Sequence, residues 1–193
     1  VLSHVPLKDG KAPEIAESSG LIASKCQPDV FWTHNDSGDD AFIYALRKTG
    51  VKLGTWHVPG AQNIDWEDIA GYKDNTGKCF IYIGEIGDNQ SRRAEHVIYR
   101  IREPRITPDA AGSTRAQPVE ADKADVIRFT YPDGNHDAET ILVNPNTADI
   151  YVISKRIEGP AGVYRLRSDF GIEQVVKAEK VADLSVPAVP NGF

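Results

Sequence analysis

Apolar residues in this chain fall in short runs that alternate with polar positions and are broken at close intervals by Gly, Pro, Asn and Asp. Period-two patterning puts successive side chains on opposite faces of a strand. The runs are rich in Val, Ile, Tyr, Phe and Trp, so they predict β-strands joined by tight turns. No stretch carries a convincing helical period over an ordinary helix length.

The runs recur as three units of the same order. Each unit opens on an acid four residues ahead of a Leu or Ile: Glu17-Ser18-Ser19-Gly20-Leu21, Asp65-Trp66-Glu67-Asp68-Ile69 and Asp137-Ala138-Glu139-Thr140-Ile141. Second strands are predicted over 30–34, 79–84 and 149–154, each preceded by turn chemistry such as Gln27-Pro28-Asp29 or Asn144-Pro145-Asn146. Third strands fall at 42–47, 97–102 and 162–167, and weaker fourth strands at 52–58, 125–131 and 173–181.

Four short antiparallel strands per unit predict an all-β chain and, more narrowly, a β-propeller with three four-stranded blades at about 14–60, 61–132 and 133–184 of a single 1–193 portion. Segment 103–124, polar and rich in Pro and Ala, is expected as an inserted loop between the third and fourth strands of the second unit. A β-sandwich is the alternative, although it does not require an acid-led strand to recur in register. Known propellers have about four to eight blades, and an open arc exposes strand edges. Further blades are therefore expected from missing sequence or another chain, completing a ring of about five to seven. Segment 1–7 is a candidate outer strand for the last blade, and 185–193 stops in a Pro-rich stretch where another inner strand would follow.

Composition narrows the function classes. With 40% hydrophobic and 26% charged residues the chain is globular rather than disordered. A net charge of -6 without a Lys/Arg cluster argues against nucleic acid as a partner. No apolar run approaches the roughly 20 residues of a membrane span, and none reads as a retained signal peptide. The chain starts at Val1 and has no Met, which predicts that the start of the gene product has been removed.

Winding the three units about one axis would bring the strand-leading acids to a common mouth. Glu17, Asp65, Glu67, Asp137 and Glu139 are the candidate metal ligands. The loops after the second strands add His34, Asn35, Asp36, Glu85, Asp88 and Asn89 as candidate ligand-binding residues, with Lys155 and Arg156 in the comparable loop of the third unit. So many carboxylates repel one another unless a cation compensates, and all-oxygen donors suit Ca²⁺ or another divalent ion. The same residues also read as structure: Asp36, Asp88 and Asn89 as turn caps, His34 and His136 as core hydrogen-bonders, and Trp32, Trp56 and Trp66 as packing. No nucleophile elbow, phosphate loop or zincin helix is present.

Cys26, in the turn between the first two strands of unit one, and Cys79, opening the second strand of unit two, both fall at the end opposite the acids. A disulfide between neighbouring blades would suit an exported protein, and two free buried thiols are the other reading.

Taken together, Glu17-Ser18-Ser19-Gly20-Leu21, Trp32-Thr33-His34-Asn35-Asp36-Ser37-Gly38, Asp65-Trp66-Glu67-Asp68-Ile69-Ala70, Tyr82-Ile83-Gly84-Glu85-Ile86-Gly87-Asp88-Asn89 and Asp137-Ala138-Glu139 resemble a largely uncharacterised family of exported bacterial β-propeller proteins. The resemblance implies the propeller fold and a periplasmic or extracellular location. The acidic mouth is more distantly similar to calcium-dependent propeller hydrolases of the senescence-marker/gluconolactonase and phytase groups, whose full residue sets are not matched here. The expected function is an exported binding or scaffold protein with an acidic Ca²⁺ site, its partner a small polar ligand or a protein. The alternative is a metal-dependent hydrolase of a phosphoester, lactone or ester, with a carboxylate or His34 as base.

Overall fold

Each of the three sequence units folds as an antiparallel four-stranded meander, in a computed structural model that describes residues 14–156, 159–169, 171 and 174–185. The first sheet consists of β1 (Ser18–Ala23), β2 (Val30–Asn35), β3 (Phe42–Arg47) and β4 (Lys52–His57). The second consists of β5 (Trp66–Lys73), β6 (Cys79–Glu85), β7 (His96–Arg102) and β9 (Asp125–Thr130). The third consists of β10 (Ala138–Val143), β11 (Ile150–Ser154), β12 (Ala161–Leu166) and β14 (Glu179–Leu184). The chain is thus all-β, in three sheets rather than the two of a sandwich. No helix among the described residues is long and apolar enough to cross a membrane.

Strand alternation builds the core. In β6, Ile81 and Ile83 face the first sheet while Tyr82 faces the third; in β7, Tyr99 and Ile101 face the first and Ile98 the third. The middle sheet is therefore covered on both sides, which explains why β6 is buried at nearly every position. Trp32, Trp56 and Trp66 are all buried between the first two sheets, Trp32 meeting Trp56 edge-on at 5.0 Å. The leading strands pack side by side, β5 lying between β1 and β10. This adjacency is what positions the site.

The insertion 103–124 is not featureless. It contains a 3₁₀ turn at Pro108–Ala110 and a two-residue strand, β8 (Val119–Glu120), that pairs parallel with β4 of the first sheet. The same device recurs one unit later, where β13 (Val176–Lys177) pairs parallel with β9 of the second sheet. Ala121 and Ala178 extend the two caps by donating to the carbonyls of His57 and Thr130, both at 2.9 Å.

This corrects the expected fourth strand at 173–181. Its first residue lies outside the described residues, residues 176–177 belong to the neighbouring sheet, and the true fourth strand runs Glu179–Leu184. The open edge of β9 carries unpaired amides and carbonyls that a passing segment can satisfy, and local patterning does not record that demand. The expected outer strand at 1–7 and most of the 185–193 stretch also lie outside the described residues.

At the end of the sheets far from the strand-leading acids, Cys26 and Cys79 form a disulfide with Cα atoms 6.0 Å apart. Glu103 reinforces this junction. Its carboxylate accepts from Ser24 Oγ, from Gln27 Nε2 at 2.9 Å and from Trp32 Nε1 at 3.3 Å, tying the exit of β7 to the first sheet.

Candidate metal centre

The three leading strands share a local irregularity. Pairing with the second strand shifts register between Ser18 and Leu21, between Trp66 and Asp68, and between Ala138 and Thr140. A bulge releases a residue from the ladder and re-aims its side chain. Glu67 and Glu139 are the residues released in units two and three; unit one has Ser19 there, and its hydroxyl donates to the Glu67 carbonyl at 2.7 Å.

The loop leaving each second strand then folds back over the head of its own leading strand. Asp36 N–H donates to the Glu17 carbonyl at 3.0 Å, Gly87 N–H to Asp65 at 3.2 Å and Lys155 N–H to Asp137 at 2.8 Å. One slot is thus filled by an acid, a glycine and a base in the three units. A Cβ at Gly87 would overlap the Asp65 carboxylate and come within 2.6 Å of Glu67 Oε1. Gly87 is not in the left-handed region, so space rather than backbone conformation requires glycine.

The result is two overlapping acidic groups. Oxygens of Asp36, Asp65 and Glu67 lie within 4.8 Å of one another, as do those of Glu67, Asp137 and Glu139. Glu67 belongs to both. It is 7% exposed, and among the described residues no hydrogen bond reaches its carboxylate. Burial, followed by the charges of Glu139, Asp36, Asp65 and Asp137, pushes its pKa up to about 8. Asp36 and Asp65 are also raised, chiefly by burial; Lys155 opposes the rise at Asp36, and Arg93 opposes it at Asp65. One oxygen of Asp36 is buried without a partner. Lys155 Nζ lies 2.5 Å from Glu139 and 3.7 Å from Asp137.

Compared with protein-family models and with curated proteins, the chain matches none.

Of the five residues expected to hold a metal, Asp65, Glu67, Asp137 and Glu139 converge, whereas Glu17 is exposed and stands outside both groups. Asp36, expected among the ligand-binding residues, takes a place beside Asp65 and Glu67 instead. Asn35 and Glu85 prove to be equivalent supports. Asn35 Oδ1 accepts from Ala16 N–H at 3.1 Å and Glu17 N–H at 3.2 Å, and Glu85 accepts from Ile64 N–H at 2.8 Å and Asp65 N–H at 3.2 Å. Arg93 neutralises Glu85 at 2.6 Å. Both residues lie one position beyond the expected second strands, 30–34 and 79–84, and are the last residues of β2 and β6.

Asp88 uses both carboxylate oxygens on the amides of Arg92 and Arg93, as a turn cap does, while its own N–H donates to Asp137 Oδ1 at 2.7 Å. Asn89 is exposed and borders an open depression of about 330 Å³ beside Asp65, Gly87 and Arg93. His34 is fully buried, its Nδ1 2.8 Å from the Asn35 carbonyl and its ring edge-on to Trp66. Burial lowers its pKa to about 4, so it is a neutral core side chain at physiological pH. His136 pairs with Asp133 at 2.9 Å and stacks on Tyr164.

Proposed function

We propose that this chain is the three-blade portion of an exported β-propeller binding or scaffold protein whose inner-strand mouth holds a divalent cation. The observation that carries the reading is Glu67: a buried carboxylate shared by two acidic groups, with no hydrogen bond among the described residues. Such a group is costly to ionise, and a cation removes the cost. Carboxylate oxygens are the donors Ca²⁺ takes, in shells of six to eight that main-chain carbonyls, water or a bound ligand can complete.

The ring is supported by what flanks the stack. Ile69 and Ala70 of β5 are buried against the first and third sheets respectively, whereas their counterparts at the two outer flanks, Leu21 and Leu142, are 60% and 53% exposed. Further blades would cover them. Export is supported by the disulfide. The hydrolase alternative loses one of its two named bases, because His34 is fully enclosed in the core, its ring against Trp66. The open depression beside Asp65 suits a polar ligand or a protein loop.

Titration calorimetry with Ca²⁺ is expected to give saturable binding, and differential scanning calorimetry a higher Tm that EDTA returns to baseline. Absence of both heat and a Tm shift overturns the reading. Gly87→Ala should weaken binding by about tenfold, because the added Cβ displaces the Asp65 and Glu67 carboxylates. Unchanged affinity would show that these two carboxylates are not the ligands.

A further inference from the structure

We infer that the mouth is built for one divalent cation, held by Asp36, Asp65 and Glu67, because Lys155 supplies a tethered cation to the second acidic group. The inference rests on the cation reading above and adds how many ions the site takes and what limits it.

Two groups that share a carboxylate have the form of a dinuclear site, with Glu67 as the bridge. The two halves differ in what occupies the loop slot above them. In the first unit the slot holds Asp36, a further oxygen donor; in the third it holds Lys155, whose N–H donates to the Asp137 carbonyl at 2.8 Å and fixes the root of the side chain. Its ammonium then reaches Glu139 at 2.5 Å and Asp137 at 3.7 Å. Asp137 Oδ1 also accepts from Asp88 N–H at 2.7 Å. The carboxylates of the third unit are therefore already compensated.

On the Asp36 side no ion pair is made to Asp36, Asp65 or Glu67 among the described residues, and Lys155 acts on Asp36 only as a more distant charge. Buried Glu67 accepts no hydrogen bond there among the described residues, and one Asp36 oxygen is buried and unpaired. Arg93 is the basic group that acts on Asp65, and its guanidinium is engaged by Glu85 and the Gly87 carbonyl, at 2.6 and 2.8 Å. The demand for an ion thus falls on one side only, and an ammonium within reach of Glu139 and Asp137 repels a second divalent ion from the other.

The test is the number of ions bound. Lys155→Met keeps the length of the side chain and removes its charge, and the side chain is 43% exposed, so folding is retained. Calorimetry and metal analysis after gel filtration should give one ion per chain for the natural protein, two for Lys155→Met and one for Lys155→Arg. With Mn²⁺, electron paramagnetic resonance should show an isolated six-line ion in the natural protein and a broadened, exchange-coupled signal in Lys155→Met, because the two ions would share Glu67. Binding of two ions by the natural protein, or of one by Lys155→Met, overturns the inference and leaves the cation reading intact. Binding of none by the natural protein overturns the cation reading and this inference with it.

Discussion

Glu67→Gln makes the cation-free protein more stable and removes its affinity for the cation, two effects of opposite sign from one substitution. The carboxylate is buried among Asp36, Asp65, Asp137 and Glu139, and the Lys155 ammonium, paired with Glu139, is a basic group whose charge reaches it. Its pKa stands near 8 against an ordinary value of 4.5. A raised acid pKa means that the folded protein holds the proton more tightly than the unfolded chain. Stability from this group is therefore greatest below about pH 4.5, falls as pH rises to about 8 and is level above it. Glutamine cannot ionise, so this slope disappears. At pH 9 in EDTA the variant should gain on the order of 2 kcal/mol by urea unfolding, less than the pKa displacement would give in isolation because neighbouring acids share the relief.

Cation affinity should fall by at least about 100-fold, beyond the range typical of residues that merely orient ligands. In the natural protein at pH 7, binding should release about one proton, measured from calorimetric heats in buffers of different ionisation enthalpy. Equal stability and equal pH profiles for the two proteins would mean that Glu67 is not under electrostatic strain. A variant that is less stable in EDTA at every pH would assign Glu67 an ordinary structural role.

Replacing both cysteines by serine should cost about 4 kcal/mol of stability and lower Tm by about 10 °C without altering the cation affinity. The bridge closes a separation of 53 residues. In the chain-entropy account a loop of that size restrains the unfolded state by about 4 kcal/mol, a large share of the roughly 5–15 kcal/mol typical of a domain. The Glu103 network at the same junction preserves the register of the first two sheets, so the variant still folds. The bridge and the carboxylates sit at opposite ends of strands such as β5, whose eight residues span on the order of 25 Å. Urea unfolding with and without dithiothreitol measures the first effect, and Ca²⁺ titration the second. A cation affinity that follows the redox state would contradict the separation of the two ends.

Local chemistry along the chain was sufficient for the strands. Alternation in segments such as Cys79–Glu85 and Phe42–Arg47 states which residues face which way, because side-chain direction in a strand depends only on the residue's own position. The recurring acid ahead of each leading strand likewise announced that Asp65, Glu67, Asp137 and Glu139 would share one end, and the two cysteines the other. Partnership was not written locally. That no acidic group gathers at Glu17 follows from Ser19 filling the bulge that Glu67 and Glu139 fill in the other units, and that Asp36 joins Asp65 depends on its loop folding back over Glu17. That residues 176–177 leave their own unit depends on an unsatisfied edge in the sheet beside it. The sequence by itself determined the strands, their faces and the end at which charge collects. Only the tertiary structure decided which carboxylates meet, which of them Lys155 neutralises and which is left in want of a cation, because those outcomes turn on distances of a few ångströms between segments far apart in the chain.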